Sequence, residues 1–553
     1  MQRTTYLNII SIHFIALFMT ITSCNHSNIN NVRYKVFHYN ESKDIGTLDP
    51  AYARNQAKVW SANQLFNGLL QLDDSLKLKP CIAKIWEISQ DGKKYTFHLR
   101  TDVFFHDHLV FPKGKGRKVV ASDFVYSFCR LIDPAIASPG AWVFNLVNTS
   151  EPNTTNGFKT IDDSTLQIYL KSPFPAFPGL LTIPYCFVVP KEVVKFYGRD
   201  FRSHPVGTGP FKFKIWIEGE KLILIKNDNY FEKDNQGNKL PKIDAISISF
   251  ITDKQSEFLE FIKGRLDFIS GVNASFKDEL LTPSGKLNPA YYNKINMLVC
   301  PYLNTEYLGI LVDSSLDIVR KNPLHNKLFR LAINLAIDRK KMISNLRNNI
   351  GYPANAGFVP MGMPSFSNYA VKGYTYNPDS ARKLLLKAGF VNGKGISPVK
   401  IVTVSDYSDI CEYVQHELEQ IGIPIEIEVI TGLSYREMIA NSRVNMFRAS
   451  WVADYPDAEN YMAIFYGPNL CPKGPNYTRF NNSNFDILYN QSLKEPDLLK
   501  RYRLYHLMDQ IIIDEGVIVP LYYDVAVRFT QKNIFNLGIN PMNNLILKYV
   551  EIK

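Results

Sequence analysis

The chain has 553 residues, 46% of them hydrophobic and 21% charged, with 63 Lys and Arg against 52 Asp and Glu for a formal net charge of +11. This length exceeds one ordinary core and predicts two or three domains, and the composition excludes a disordered chain and a membrane-spanning bundle. The basic residues are scattered, and their one dense cluster, Lys113, Lys115, Arg117 and Lys118, has no interleaved aromatics; a solvated basic face is expected, and no nucleic-acid partner.

At the amino terminus Arg3 supplies a positive start, and an apolar stretch follows, densest from Phe14 to Ile21. Ser11 and His13 interrupt it, so it reads as a signal-peptide core rather than a membrane span of about 20 residues. Ile21-Thr22-Ser23-Cys24 resembles a bacterial lipobox, and Asn25 to Asn31 is polar enough for a tether. The expectation is a lipoprotein signal peptide over 1–23, a tether over 24–32 and lipidation of Cys24. The mature protein would then sit in the periplasm or on the cell surface, held to a bacterial membrane by lipid. The other six cysteines, Cys81, Cys129, Cys186, Cys300, Cys411 and Cys471, are widely spaced with no CxxC pair, which argues against zinc or thioredoxin-type chemistry.

Tyr34 to Tyr39 is strand-like, and a helix is predicted over about Asn55 to Leu70. Tyr95 to Arg100 alternates like a strand with one buried face. Ser122-Asp123 precedes an amphipathic helix carrying Phe124, Phe128 and Leu131. Phe211 to Ile215 and Leu222 to Ile225 read as a hairpin across Glu218-Gly219-Glu220. Phe258 to Lys263 is a short helix closed by Gly264. Further helices are predicted over Lys327 to Leu346, Asp379 to Ala388, Asp409 to Gln420 and Tyr502 to Asp514. Strands are predicted over Ile425 to Ile430 and Val517 to Tyr523. Mixed strands and helices without a tandem repeat predict interleaved α/β lobes.

Several segments together resemble the bacterial family 5 extracellular solute-binding proteins, the oligopeptide, dipeptide and nickel-binding group. They include Leu48-Asp49-Pro50, Phe66-Asn67-Gly68-Leu69-Leu70, Pro80, Ala83, Trp86 with Ser89-Gln90-Asp91-Gly92, and Phe97-His98-Leu99-Arg100. They continue through Ala121-Ser122-Asp123, Tyr126-Ser127, Pro205 to Pro210, Asn227 to Tyr230 and Gly264 to Asp267. The last are Ala336-Ile337-Asp338-Arg339, Tyr376-Asn377-Pro378, Ala381 to Leu385 and Trp451 to Asp457. Each match is weak, and a dozen in order over roughly 34 to 535 is strong. The chain departs from the pattern at His108, where a glycine is usual, and in the longer insert Val110 to Lys118. Val452 replaces a cysteine of one branch, so that branch's disulfide is expected to be absent. No basic residue stands near Asp406 or Ser408, where that branch holds the peptide carboxylate.

The resemblance implies a periplasmic binding protein-like α/β fold, with two hinged lobes and an inserted subdomain. Lobe I would be built from 33–66, 205–298 and 517–553, the inserted subdomain from 67–204, and lobe II from 299–516. It implies a monomeric, lipid-anchored receptor that binds oligopeptides and delivers them to the permease of an ABC importer, with no cofactor and no enzymatic activity. Within the same fold, a non-peptide ligand such as nickel or haem is the alternative.

His106 and His108 could share a face, but no third and fourth metal ligand follows by spacing. There is no H-E-x-x-H, G-x-S-x-G, Walker loop or dinucleotide fingerprint. The informative cluster is Trp451, Ala453, Asp454 and Tyr455. A peptide receptor needs a carboxylate for the ligand's ammonium and a strand edge for its backbone, and Met446 to Ala453 could be that edge. Asp454 could instead cap the turn before Pro456, with Trp451 in the core; Asp457 competes for the same carboxylate role and reads better as a turn residue. By the resemblance, Arg448 lies near the peptide carboxylate and Trp142 contributes an aromatic to the cleft. A surface salt bridge is the alternative for Arg448.

Overall fold

The computed structural model describes residues 34–553; Cys24 and the signal-like stretch lie outside the described residues. Strand β1 (Val36–Asn40) alternates as its sequence predicts, burying Phe37 and Tyr39 and exposing His38. β2 (Leu70–Leu72) and β3 (Leu78–Pro80) form a small hairpin. β4 (Ala83–Ile88), β5 (Lys94–Leu99), β6 (Phe158–Asp162) and β7 (Thr165–Tyr169) build an antiparallel sheet in the order β4-β5-β7-β6. β8 (Phe211–Ile217) and β9 (Lys221–Lys226) are the predicted hairpin.

The remaining strands are β10 (Ala245–Ser249), β11 (Phe268–Ser270), β12 (Ile295–Ile310), β13 (Tyr352–Pro353), β14 (Val399–Thr403), β15 (Ile425–Val429), β16 (Met446–Val452), β17 (Ile518–Gln531), β18 (Ile534–Phe535) and β19 (Glu551–Ile552). An 11-stranded sheet runs β15-β14-β16-β12-β17-β11-β1-β10-β9-β8, with β13 also on β17. Two long antiparallel strands, β12 and β17, join its halves. Near Ile295 they lie beside β11 and near Ile310 beside β16, and their register shifts between Pro301 and Thr305. From Val36 to Lys553 the chain forms one compact unit.

Three large apolar clusters flank the sheets. One packs Phe37, Ile246 and Ile248 with Trp60 and Leu65 of the helix Gln56–Leu65, and with Phe124 and Phe128 of the helix Ala121–Ile132. A second joins Leu308 and Ile310 to Phe329, Ile333, Val414 and Leu418. The third holds Tyr307, Phe358, Tyr461, Phe465 and Met508 beneath the carboxyl end of β16.

The Pro205–Pro210 signature has a packing reason. Its backbone lies against the carboxyl end of the helix Gln56–Leu65, where Gly209 N–H donates to the Leu65 carbonyl at 2.9 Å. A Cβ on Gly207 would lie 2.1 Å from the Leu65 oxygen, and one on Gly209 2.4 Å from the Gln64 oxygen. Only glycine fits both places. His106 belongs to the same junction: its Nε2 is 2.9 Å from the Gly209 carbonyl, and burial lowers its pKa to about 4. His108 instead meets the Tyr197 hydroxyl at 3.0 Å, so the two histidines have separate structural partners.

Several predicted bounds move. The helix predicted to Leu70 stops at Leu65, where Phe66 turns extended. The single helix predicted over Lys327 to Leu346 is two, Lys327–Ala336 and Arg339–Arg347. Ile337 breaks it, and Asp338 caps the second by accepting from Lys341 N–H. The basic cluster is partly neutralised: Arg117 pairs with Asp123 and Glu192 at 2.7 Å each, and Lys115 with Asp107 at 2.9 Å.

Candidate functional site

β16 pairs with β12 along its whole length, from Ile310↔Met446 to Asn304↔Val452. On its other side β14 meets it only at Ile401↔Met446 and Val402↔Phe447. From Arg448 to Val452 that edge carries no ladder partner among the described strands. Such an edge is a template for an added extended chain.

The chain turns sharply just beyond this edge. Ala453 N–H donates to the Leu303 carbonyl at 2.9 Å, which pins the turn to β12. Asp454 then presents its carboxyl at the end of the edge, held by Asn460. The Asn460 amide donates to Asp454 Oδ2 at 3.2 Å, and its carbonyl accepts Asp454 N–H at 3.1 Å and the Trp451 indole N–H at 3.0 Å. Asn460 therefore fixes both Trp451 and Asp454. Solvent reaches Asp454, yet protein crowds it, and desolvation raises its carboxyl pKa above the usual range despite the Asn460 hydrogen bond.

Tyr455 is 2% exposed and faces inward, where its hydroxyl donates to Glu459. Tyr489 donates to the other oxygen of Glu459. Burial, joined by the charge of Asp454, pushes Glu459 up to about 7. Asp457 is structural: it accepts from the Tyr505 hydroxyl at 2.6 Å, pairs with Arg501 at 3.2 Å and caps Glu459 N–H at 3.0 Å.

Arg448 is buried and ion-paired with Glu306 of β12, not a surface bridge, and its guanidinium carbon lies 3.1 Å from the Tyr407 ring centre. Trp142 sits on the short turn Ala141–Phe144 and is 36% exposed. Val452 lies opposite Asn304 in the ladder, and the six cysteines of the described residues are unpaired.

The sequence reading missed Tyr185. Its ring fills the space in front of Gly140, where a Cβ would lie 2.3 Å from it. Burial and then the charge of Asp454 push the Tyr185 phenol up to about 12, while Arg54 acts in the opposite direction. Tyr185 thus shares the electrostatic surroundings of Asp454, though it comes from a distant segment. Gly140 is the one sequence signal: a glycine beside Pro139 leaves room for a large partner.

A mixed α/β architecture with two sheet halves joined by long crossing strands, and an open strand edge ending in a carboxylate, defines a solute-binding protein of the periplasmic-binding-protein type. The family model described as "Bacterial extracellular solute-binding proteins, family 5 Middle" matches residues 77–470, and the chain belongs to that family. It is similar to the periplasmic oligopeptide-binding protein OppA of Salmonella typhimurium, 26% identical over 533 residues covering 93% of this chain and 92% of the relative. It is also similar to the dipeptide-binding protein DppE of Bacillus subtilis, 24% identical over 539 residues covering 94% and 92%. Among solved structures it resembles the ABC transporter-associated periplasmic binding protein DppA from Helicobacter pylori in complex with the peptide STSA. That match has a TM-score of 0.75 at 25% identity and covers 94% of this chain and 98% of the other.

Proposed function

We propose that this protein is an extracytoplasmic receptor that binds oligopeptides and passes them to an ABC importer. The observation that carries the reading is the unpaired edge Arg448–Val452 with Asp454 at its end. An extended peptide can add to that edge through its backbone, which every peptide shares. Its ammonium then needs a charge partner, because an unpaired charge is costly to desolvate. Asp454 supplies the partner. Trp451 and Tyr185 form apolar walls, Ala453 and Tyr455 contribute backbone, and Trp142 stands at the outer rim. Comparison with the peptide-named relatives supports the same ligand class.

The reading includes two lobes, 33–66 with 205–298 and 517–553, and 299–516, with 67–204 as an inserted subdomain. It also includes a lipid anchor at Cys24; Cys24→Ser should then release the protein from membranes or leave it unprocessed, and unchanged retention and processing would remove the anchor.

Asp454→Asn tests the site. Removing one member of a buried charge pair costs about 2–5 kcal/mol, so peptide affinity should fall roughly thirtyfold or more with the fold intact. Acetylating the peptide amine should weaken binding to native protein similarly, and add little in the Asn variant. Equal calorimetric affinity of free and acetylated peptide for native protein would show that Asp454 does not read the amine.

A further inference from the structure

Along β16, Arg448 is ion-paired with Glu306 of β12 and faces Tyr407. On β17, Asp524 pairs with Arg347 at 2.7 Å and accepts from the Asn304 amide at 3.2 Å. The ladder places Asn304 opposite Val452 and Glu306 opposite Ser450, so both share a sheet face with Arg448, one strand behind the open edge that ends at Asp454. This end of the cleft therefore has two cations and two anions, each cation with its own carboxylate.

Four polar atoms in the cluster have no hydrogen-bond partner among the described residues: Arg448 Nε and Nη2, Glu306 Oε1 and Asn304 Oδ1. Nε and Oε1 face each other in the ion pair, which leaves the donor Arg448 Nη2 and the acceptor Asn304 Oδ1, on residues 7% and 6% exposed. Buried polar groups normally have a partner in protein, water or a bound ligand. One donor and one acceptor in a charge-balanced setting match a group that both accepts and donates without net charge. A peptide or terminal carboxamide does both. A free carboxylate can only accept, and here it would compete with Glu306 for an arginine already neutralised.

Resting on the peptide-receptor reading, we infer that the Arg448–Asn304 end of the cleft recognises an uncharged amide rather than a free terminal carboxylate. The receptor then reads a peptide by its amine at Asp454 and by a backbone or terminal amide further along β16. It takes peptides whose chain continues past the site or ends in a carboxamide.

The test uses alanine tri-, tetra- and pentapeptides with free amines, each as acid and as carboxamide, with calorimetry on the mature protein. It is run at pH 8, above the value of about 7 to which burial pushes Glu306. At the best length the carboxamide should bind about tenfold tighter, the scale of a hydrogen bond to a charged group. Glu306→Gln leaves Arg448 without its counter-ion and should reverse the order. Asp524→Asn frees Arg347 in the same way and serves if the first variant does not fold. Equal binding, a preference for the acid in native protein, or no gain for the acid in either variant overturns the inference while peptide binding stands. If neither form binds at any length, the peptide reading fails and the inference with it.

Discussion

Gly209 and Gly432 are the same residue type under opposite constraints. At Gly209 a Cβ would run into backbone at 2.4 Å, which cannot yield without moving the helix Gln56–Leu65. Gly209→Ala should cost about 1–3 kcal/mol, the usual range for overpacking. Gly432 opens the helix Gly432–Ala440 with nothing within 4 Å of a Cβ. There alanine should stabilise by about 0.4–1 kcal/mol, chiefly by restricting the unfolded chain. Urea unfolding of the two variants should move in opposite directions; a neutral Gly209→Ala would contradict the packing assigned to the Pro205–Pro210 signature. The same signature was legible in the sequence as a family-like segment, but its partner was not, because the helix end it packs on lies some 140 positions earlier.

At the scale of elements, sequence legibility follows from how many faces an element buries. β5 and β9 expose one face, alternate cleanly and were readable. β12 was invisible: Pro301 interrupts it, and Leu303 to Ile310 is buried on both faces, which erases the alternation. β17 was read over Val517 to Tyr523, yet runs from Ile518 to Gln531 for the same reason. The site divides likewise. Asp454 and the edge before it were legible from order and motif. Tyr185, Asn304, Glu306 and Asp524 were not, since only packing and sheet register bring them to β16. The register break between Pro301 and Thr305, in the strands that join the sheet halves, is where closure of two lobes on a ligand should flex. Small-angle scattering should give a smaller radius of gyration with saturating peptide; an unchanged radius, with binding confirmed independently, would count against a hinge there.

The whole molecule carries several buried carboxyls that burial pushes up: Glu41 to about 8, and Glu306, Glu459 and Asp509 to about 7. A carboxyl whose folded pKa is raised contributes stability that is full below its unfolded value and lost as pH rises through the folded one. His106, lowered to about 4, acts oppositely, but only below the ordinary histidine value of 6.5. Between pH 6.5 and 8.5 the carboxyls therefore dominate, and stability should decline as pH rises. The melting temperature should drop by about 2–4 °C across that window, the scale of about 1 kcal/mol in a large domain; a rise or a flat profile would contradict the burial of these groups.

The central claim is that the cleft holds a peptide through its amine and backbone. Native mass spectrometry of protein purified without denaturation reads the occupant directly. The account predicts added masses that fragment as peptides with unblocked amino termini, retained by native protein and depleted in Asp454→Asn. Nickel, haem or another non-peptide occupant, retained equally by both proteins, would contradict it.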